Sequence, residues 1–380
     1  MHQANNVLTD AVSAGKVPFA VAMVSNDEGP IYSFAIGDAK TGHPASERTA
    51  FRIYSMTKAV GSLAAMILID RGHLTLDTPV ADIDPTWNDL QVLVDWDGDN
   101  PVLRPQQGTA TIRHLATHTS GLEYEIWNAE ILRFMKANDA SPRNTGCRAE
   151  LQSYPLASDP GTRWGYGTGI DWLGHIVELV DGRGIDAFCR EEIFDPLGMQ
   201  DTVFETDALQ DRLADIRRRN SEGKFEIANF APPSKPELYS MGQALYSTAP
   251  DYLTFLRMIL NRGTLNGHQV LSPGSMDTML ADQTYGLPFR TMRSAIPARS
   301  ADVTMPPGTT HSFAFVLTER DQPGKRRAGA QGWAGICNTH CWVDPAVNIA
   351  AVLMTQSLPF MEPAFTETYD AFERAVYAGL

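Results

Sequence analysis

The stretch "SMTKAVGSLAAMILIDRG", from Ser55 to Gly72, constrains the fold more than any other part of the chain. On a helix from Ser55 to Asp70, the apolar residues Met56, Val60, Leu63, Ala64, Met66, Ile67 and Leu68 lie nearly all round the axis. Arg71 and Gly72 then supply a stop. A helix without a polar face has nothing to offer water, so it is expected to run through the interior. With 380 residues, the chain is long enough to bury it in one large body or two interleaved domains.

The flanks say what surrounds that helix. The first 20 residues suggest an amphipathic helix, and "FAVAMVS" and "IYSFAIG" read as two strands joined at "NDEG". Near the other end, "SFAFVLT", "AQGWAGI", "HCWVD" and "VNIAAVLMT" read as three or four short strands. A last helix from Pro363 to Leu380 follows, striped by Phe365, Tyr369, Phe372 and Val376. The pattern predicts an α+β fold: one antiparallel sheet built from both termini, with the terminal helices on one face. The Pro/Gly-punctuated middle is expected to be an inserted, mainly helical domain over 76–230. Segments 1–75 and 231–380 would then form a discontinuous sheet domain.

Composition excludes several function classes. The formal charge of −14 and the absence of a basic stripe argue against a nucleic-acid partner. Two three-residue basic clusters, Arg217-Arg218-Arg219 and Lys325-Arg326-Arg327, read as solvated faces or turns. No apolar run reaches membrane-span length, and the N-terminus lacks the features of a secretory signal. The expected location is cytoplasmic, unless a leader has been removed. Cys147, Cys189, Cys337 and Cys341 are too sparse and irregular for a disulfide framework or zinc site, so buried, reduced thiols are expected.

Three stretches carry candidate chemistry. Ser55 and Lys58 stand at i and i+3, on one face of a helix start. The hydroxyl there lies in the positive field of the helix N-terminus, beside an unpaired N–H suited to an oxyanion. Alone, S-x-x-K is a capping serine with a solvated lysine; the buried helix behind it argues that Lys58 is buried too, which lowers its pKa and makes it a usable base. In "PGTRWGYGTGIDWLGHIVE", residues 160–178, glycines surround Tyr166 and would hold its phenol at an exposed turn, where it can relay a proton. A structural tyrosine is the plainer alternative. In "QGWAGICN", residues 331–338, Gly332 and Gly335 interrupt a strand, as where a ligand or another backbone comes close; a bulge with a core tryptophan is the alternative.

Together, Ser55-Met56-Thr57-Lys58, Tyr166-Gly167-Thr168 and Trp333-Ala334-Gly335 resemble the serine β-lactamase and penicillin-binding-protein superfamily. In detail the chain resembles the family VIII carboxylesterases, which are similar to class C β-lactamases. The segments 111–128, 244–267 and 342–360 extend the likeness over nearly the whole chain. The resemblance implies a β-lactamase/transpeptidase-like fold with the site in the cleft between its two parts. It implies Ser55 as nucleophile, Lys58 as general base, Tyr166 as proton relay, and the backbone N–H groups of Ser55 and Ile336 as oxyanion hole. Substrate contacts would come from Trp333, Ala334, Gly335 and Thr168, with Tyr124, Trp127 and Trp164 near the cleft.

The resemblance also has departures. Trp333 stands where β-lactamases carry a lysine or histidine, and Thr168 where they carry an asparagine. Both changes favour neutral, short-chain carboxylic esters over anionic β-lactams. The expected activity is therefore ester hydrolysis through an acyl-enzyme, with acyl transfer to alcohols as a side reaction and no metal or cofactor. A β-lactamase or D-alanyl-D-alanine carboxypeptidase is the first rival, and a non-catalytic ligand-binding relative the second. Oligomeric state is left open.

Three distractors are set aside. His114 and His118 are spaced i, i+4, but Leu115 replaces the glutamate of a zinc helix, so core or supporting histidines are expected. "DWDGDN", residues 95–100, imitates a calcium loop but has Asn100 where glycine is needed and Gln106 where glutamate is needed; a polar surface loop is expected. No G-x-S-x-G occurs, so this is not an α/β-hydrolase elbow.

Overall fold

A computed structural model of the chain describes residues 1–138, 146–228 and 230–380. Its centre is an eight-stranded antiparallel sheet made of β1 (Phe19–Ser25), β2 (Pro30–Lys40), β3 (His43–Pro44), β4 (Thr309–His311), β5 (Val316–Thr318), β6 (Gln331–Gly335), β7 (Thr339–Asp344) and β8 (Ile349–Met354). The spatial order is β4-β5-β6-β7-β8-β1-β2-β3, so strands from the two ends of the chain meet at the β8–β1 pair. There Val21 lies opposite Met354, and Val24 opposite Ala351.

Both faces of this sheet are covered, which explains why β1, β7 and β8 are buried throughout. Ala20, Ala22, Val24, Trp342, Ala351 and Leu353 face the terminal helices α1 (His2–Ser13) and α5 (Pro363–Ala378), meeting Ala4, Leu8, Phe372 and Val376. The alternate residues, among them Val21, Met23, Val343 and Val352, join the main core. That core contains α2 (Thr57–Asp70), α3 (Gly169–Asp181) and α4 (Ala249–Leu260).

Helix α2 is the interior helix its composition demands, buried continuously from Thr57 to Leu68. It begins at Thr57 rather than Ser55; Tyr54–Met56 form a short 3-10 turn ahead of it. It packs against α3 with Met241 between them. A Cβ on Gly61 would lie 2.9 Å from the Met241 Cβ and 3.0 Å from Ile170 Cγ2. Gly61→Val is therefore expected to destabilise the protein by about 1–3 kcal/mol through overpacking, measured by urea unfolding.

Several local expectations change. Within 76–230, the calcium-loop look-alike is the tip of a β-hairpin, Gln91–Asp97 against Asn100–Pro105, rather than a loop. Its burial does not alternate cleanly, because the register shifts between Leu93 and Asp95, so no strand period marks it in the sequence. His118 lies beyond the short helix Ile112–Ala116 that carries His114 and has φ 58°, so the two do not share a helical face. Cys147 is exposed, whereas the other three cysteines are buried. Arg217–Arg219 form a short strand, with Arg219 paired to Glu362, rather than a solvated face. No described helix is long and apolar enough to cross a membrane.

Candidate active site

The chain enters the site from a two-strand pairing of Ala50–Arg52 with Tyr246–Thr248 and turns sharply at Tyr54, whose φ of 42° is left-handed. That turn puts Ser55 at the corner just before α2. Two bonds fix the corner: Tyr252 Oη donates to the Met56 carbonyl at 2.8 Å, and Leu245 N donates to Thr57 Oγ1 at 3.1 Å. Ser55 is half-buried and faces a cavity, while Lys58, one turn on, is 1% exposed.

Lys58 Nζ is surrounded by acceptors. It reaches Ser55 Oγ at 3.2 Å, Tyr124 Oη at 3.1 Å and the Gly242 carbonyl at 2.8 Å. The Gly242 N–H donates to Asp171 Oδ1 at 2.6 Å, and the Ser240 hydroxyl donates to the same oxygen. Glycine is needed at 242, because a Cβ would lie 2.6 Å from Asp171 Oδ1 and 3.0 Å from the Tyr124 hydroxyl. Burial lowers the Lys58 pKa to about 7, against a smaller opposing pull from the Asp171 carboxylate.

Tyr166 shares a side-chain hydrogen bond with Ser55, so Ser55 Oγ has Lys58 and Tyr166 as partners. The tyrosine is 8% exposed, not held at an exposed turn as the glycines suggested. Those glycines admit neighbouring backbone instead: a Cβ at 167 would overlap the Leu122 carbonyl, and one at 169 the Leu115 carbonyl. Gly165 N donates to the His118 carbonyl at 2.8 Å and Tyr124 N to the Tyr166 carbonyl at 3.0 Å. This pairing carries Tyr124 to Lys58. Burial pushes the Tyr166 pKa well up, against a smaller opposing effect of its hydrogen bond with Ser55, so the phenol is neutral.

Strand β6 closes the other side. It runs unbroken from Gln331 to Gly335, so its glycines do not interrupt it. A Cβ on Gly335 would overlap the Ile53 carbonyl, and this close approach brings Ile336 into the cavity that Ser55 faces. The Trp333 ring lies 5.5 Å from Tyr166 and stacks parallel to His118 at 5.7 Å. His118 is held neutral, chiefly by burial and then by His311 and Lys58.

The cavity has a volume of about 360 Å³. Ser55, Tyr166, Ile336, Trp333, Ala334, Trp127 and Trp164 all line it. Gly335, Tyr124 and Thr168 are not among its lining residues. Tyr124 points to the amine, Gly335 is covered by Ile53, and Thr168 precedes α3 and lines a separate small pocket with Asp171. Tyr124, Gly242 and Asp171 as surroundings of Lys58 were missed from sequence. Tyr124 falls within the segment 111–128, but nothing in its spacing links it to Lys58. Among the described residues, no group of three or more His, Cys, Asp or Glu is placed to hold a metal ion.

Comparison with known proteins places the fold. The beta-lactamase family model matches residues 4–375. The monacolin J acid methylbutanoyltransferase of Aspergillus terreus is 28% identical, over 97% of this chain and 93% of its own. The lovastatin esterase of Penicillium rubens is 27% identical, over 97% and 96% respectively. A solved structure of simvastatin synthase from Aspergillus terreus superposes with a TM-score of 0.81 at 26% identity, covering 99% of this chain and 98% of that one. The fold is thus the β-lactamase/transpeptidase fold, and relatives of this kind are acyl-transferring or hydrolytic serine enzymes. The chain belongs to the beta-lactamase family.

Proposed function

We propose that the protein is a serine carboxylesterase acting on small, neutral carboxylic esters through an acyl-enzyme. The observation that carries this reading is Ser55 Oγ, facing a cavity with Lys58 Nζ at 3.2 Å and the Tyr166 phenol as its second partner. The cleft is proposed to lie between the unit 76–230 and the sheet unit of 1–75 with 231–380.

In the neutral amine, the Gly242 carbonyl and the Tyr124 oxygen take the two N–H bonds of Lys58. The lone pair then faces the Ser55 hydroxyl. Lys58 takes that proton as Oγ bonds to the ester carbon, and the N–H groups of Ser55 and Ile336 hold the resulting oxyanion. When the intermediate collapses, the bond to the alcohol oxygen breaks and Tyr166 passes the proton to the departing alkoxide. Water then attacks the acyl-enzyme by the same path and releases the acid and Ser55. An alcohol in place of that water gives acyl transfer, the activity named for the methylbutanoyltransferase relative. Tyr166 serves as relay rather than base because its pKa is raised while that of Lys58 falls near neutrality.

Trp333 favours this reading over β-lactam hydrolysis, since an indole has no charge to hold a substrate carboxylate. A panel of p-nitrophenyl acetate, butyrate and hexanoate run beside nitrocefin tests it. Simple esters are expected to turn over with a p-nitrophenol burst, and a serine-reactive phosphonate to label Ser55. Efficient nitrocefin turnover without ester turnover would overturn the proposal in favour of a β-lactamase, and absence of labelling in favour of a non-catalytic binder. With a base titrating at about 7, kcat/KM is expected to rise with pH through neutrality and to fall about tenfold per unit on the acid side. A profile flat from pH 5 to 9 would remove Lys58 from the base role.

A further inference from the structure

Strand β6 floors a trough that leads away from Ser55. Ile336, Ala334 and Gly332 are alternate residues of one chain, and all three line the cavity. Beyond Ile336, this floor carries nothing larger than a methyl group. At the rise of an extended chain it runs ~13 Å from Ile336 to Gly332.

Arg326 stands at the far end. This residue belongs to the basic triplet expected to be solvated, yet its side chain is only 16% exposed and lines the cavity. Its Nε donates to Glu373 Oε1 at 2.9 Å, and Nη2 donates to the Tyr369 oxygen at 2.6 Å and to Glu373 Oε2 at 3.4 Å. Among the described residues, no acceptor takes Nη1. A Cβ on Gly332 would collide with that nitrogen, so glycine is what lets the guanidinium reach the trough. His340, opposite Ala334 in the sheet, also lines the cavity and has a buried Nε2 without a partner. Its pKa is lowered to about 3, first by burial and then by Arg326. A buried nitrogen without a partner, and a guanidinium nitrogen open to the cavity, thus mark one end of a space whose walls include Met292, Val303 and Phe360.

We propose that Arg326 Nη1, with His340 beside it, reads an uncharged oxygen acceptor on the acyl arm of the substrate, ~10–13 Å from the scissile carbonyl. A ketone, lactone or ester carbonyl fits. This rests on Ser55 being the nucleophile. The acyl arm is assigned because Trp333, which touches Tyr166, points to the opposite face of β6 from Ala334 and Gly332. The alcohol protonated by Tyr166 therefore leaves on one face, and the acyl group extends along the other. An uncharged acceptor is favoured because Glu373 already offsets Arg326 and Asp370 offsets Lys325 at 2.8 Å. A substrate carboxylate would meet both acids.

The test compares kcat/KM for p-nitrophenyl decanoate, p-nitrophenyl 9-oxodecanoate and mono-p-nitrophenyl sebacate. The oxo ester is expected to exceed the plain ester about tenfold, one well-made hydrogen bond, and to exceed the sebacate as well. Arg326→Met alone strands the buried Glu373 carboxylate, so the double variant Arg326→Met/Glu373→Met is used, and its oxo-to-plain ratio is expected to fall to about one. A wild-type ratio of one, a ratio unchanged in the double variant, or a faster sebacate would each overturn the proposal. Binding separates this from the catalytic reading. Ser55→Ala is expected to bind 9-oxodecanamide about tenfold tighter than decanamide, read by tryptophan fluorescence. Discrimination between the amides without ester turnover would sink the esterase reading alone; ester turnover without discrimination would sink only the Arg326 site.

Discussion

Ser55→Ala is expected to lower kcat/KM for p-nitrophenyl butyrate by about 10⁴-fold or more while leaving the fold intact. The size follows from the chemistry: without Oγ no acyl-enzyme forms, and what remains is water attack beside a basic amine and two N–H groups. The mildness toward folding follows from the geometry. Ser55 is half-buried at the cavity wall, and Lys58 keeps the Tyr124 oxygen and the Gly242 carbonyl as partners. Loss of activity together with loss of the thermal transition would not support the role. Retention of more than about a tenth of the activity in a folded variant would eliminate it.

Lys58→Met separates catalysis from stability in opposite directions. Loss of the proposed base beside Ser55 Oγ is expected to cost about 10²–10⁴-fold in kcat/KM. Stability should rise, because a lysine pKa of about 7 in the folded protein, below the ordinary 10.5, means that burial disfavours the ammonium. Below pH 7 both folded and unfolded chains carry the proton, and the folded one bears the whole penalty, about 5 kcal/mol. Between pH 7 and 10.5 only the unfolded chain holds the proton, so the penalty shrinks as pH rises and vanishes above that window. Methionine leaves the Gly242 carbonyl without its donor, which takes back about 1–3 kcal/mol. Chemical denaturation at pH 6 and pH 10 measures this. The variant's advantage should be larger at pH 6, and an advantage that grows with pH would contradict the buried amine.

The sequence revealed the parts that depend on local pattern. Apolar residues nearly all round the axis from Met56 to Leu68 placed α2 inside, and the runs from Phe19 and Ile349 supplied the strands that join the two ends of the sheet. The Ser55–Lys58 pair was legible because both groups belong to one turn. Contacts made across the fold were not. Tyr124 is 66 residues from Lys58 and Gly242 is 184, and only the glycine-permitted pairing of 115–123 with 165–169 brings the tyrosine round. The burial of Tyr166 was illegible for the same reason: its glycines suggest freedom for the turn, whereas two of them make room for the Leu115 and Leu122 backbone. Arg326 sat in a basic triplet that gave no hint of Glu373, 47 residues on.

Helix α2 has a consequence for how the protein fails. Ser55 stands at the cavity wall just ahead of its first turn, and the helix itself is embedded in the main core with α3, α4 and the sheet, so the Ser55–Lys58 geometry cannot melt as a separate unit. Amide protons of α2 should exchange only through the opening that unfolds the whole protein, and on warming catalytic competence should persist until the cooperative transition itself. The proposed reaction centre is thus among the last places to soften, unlike sites carried on surface loops.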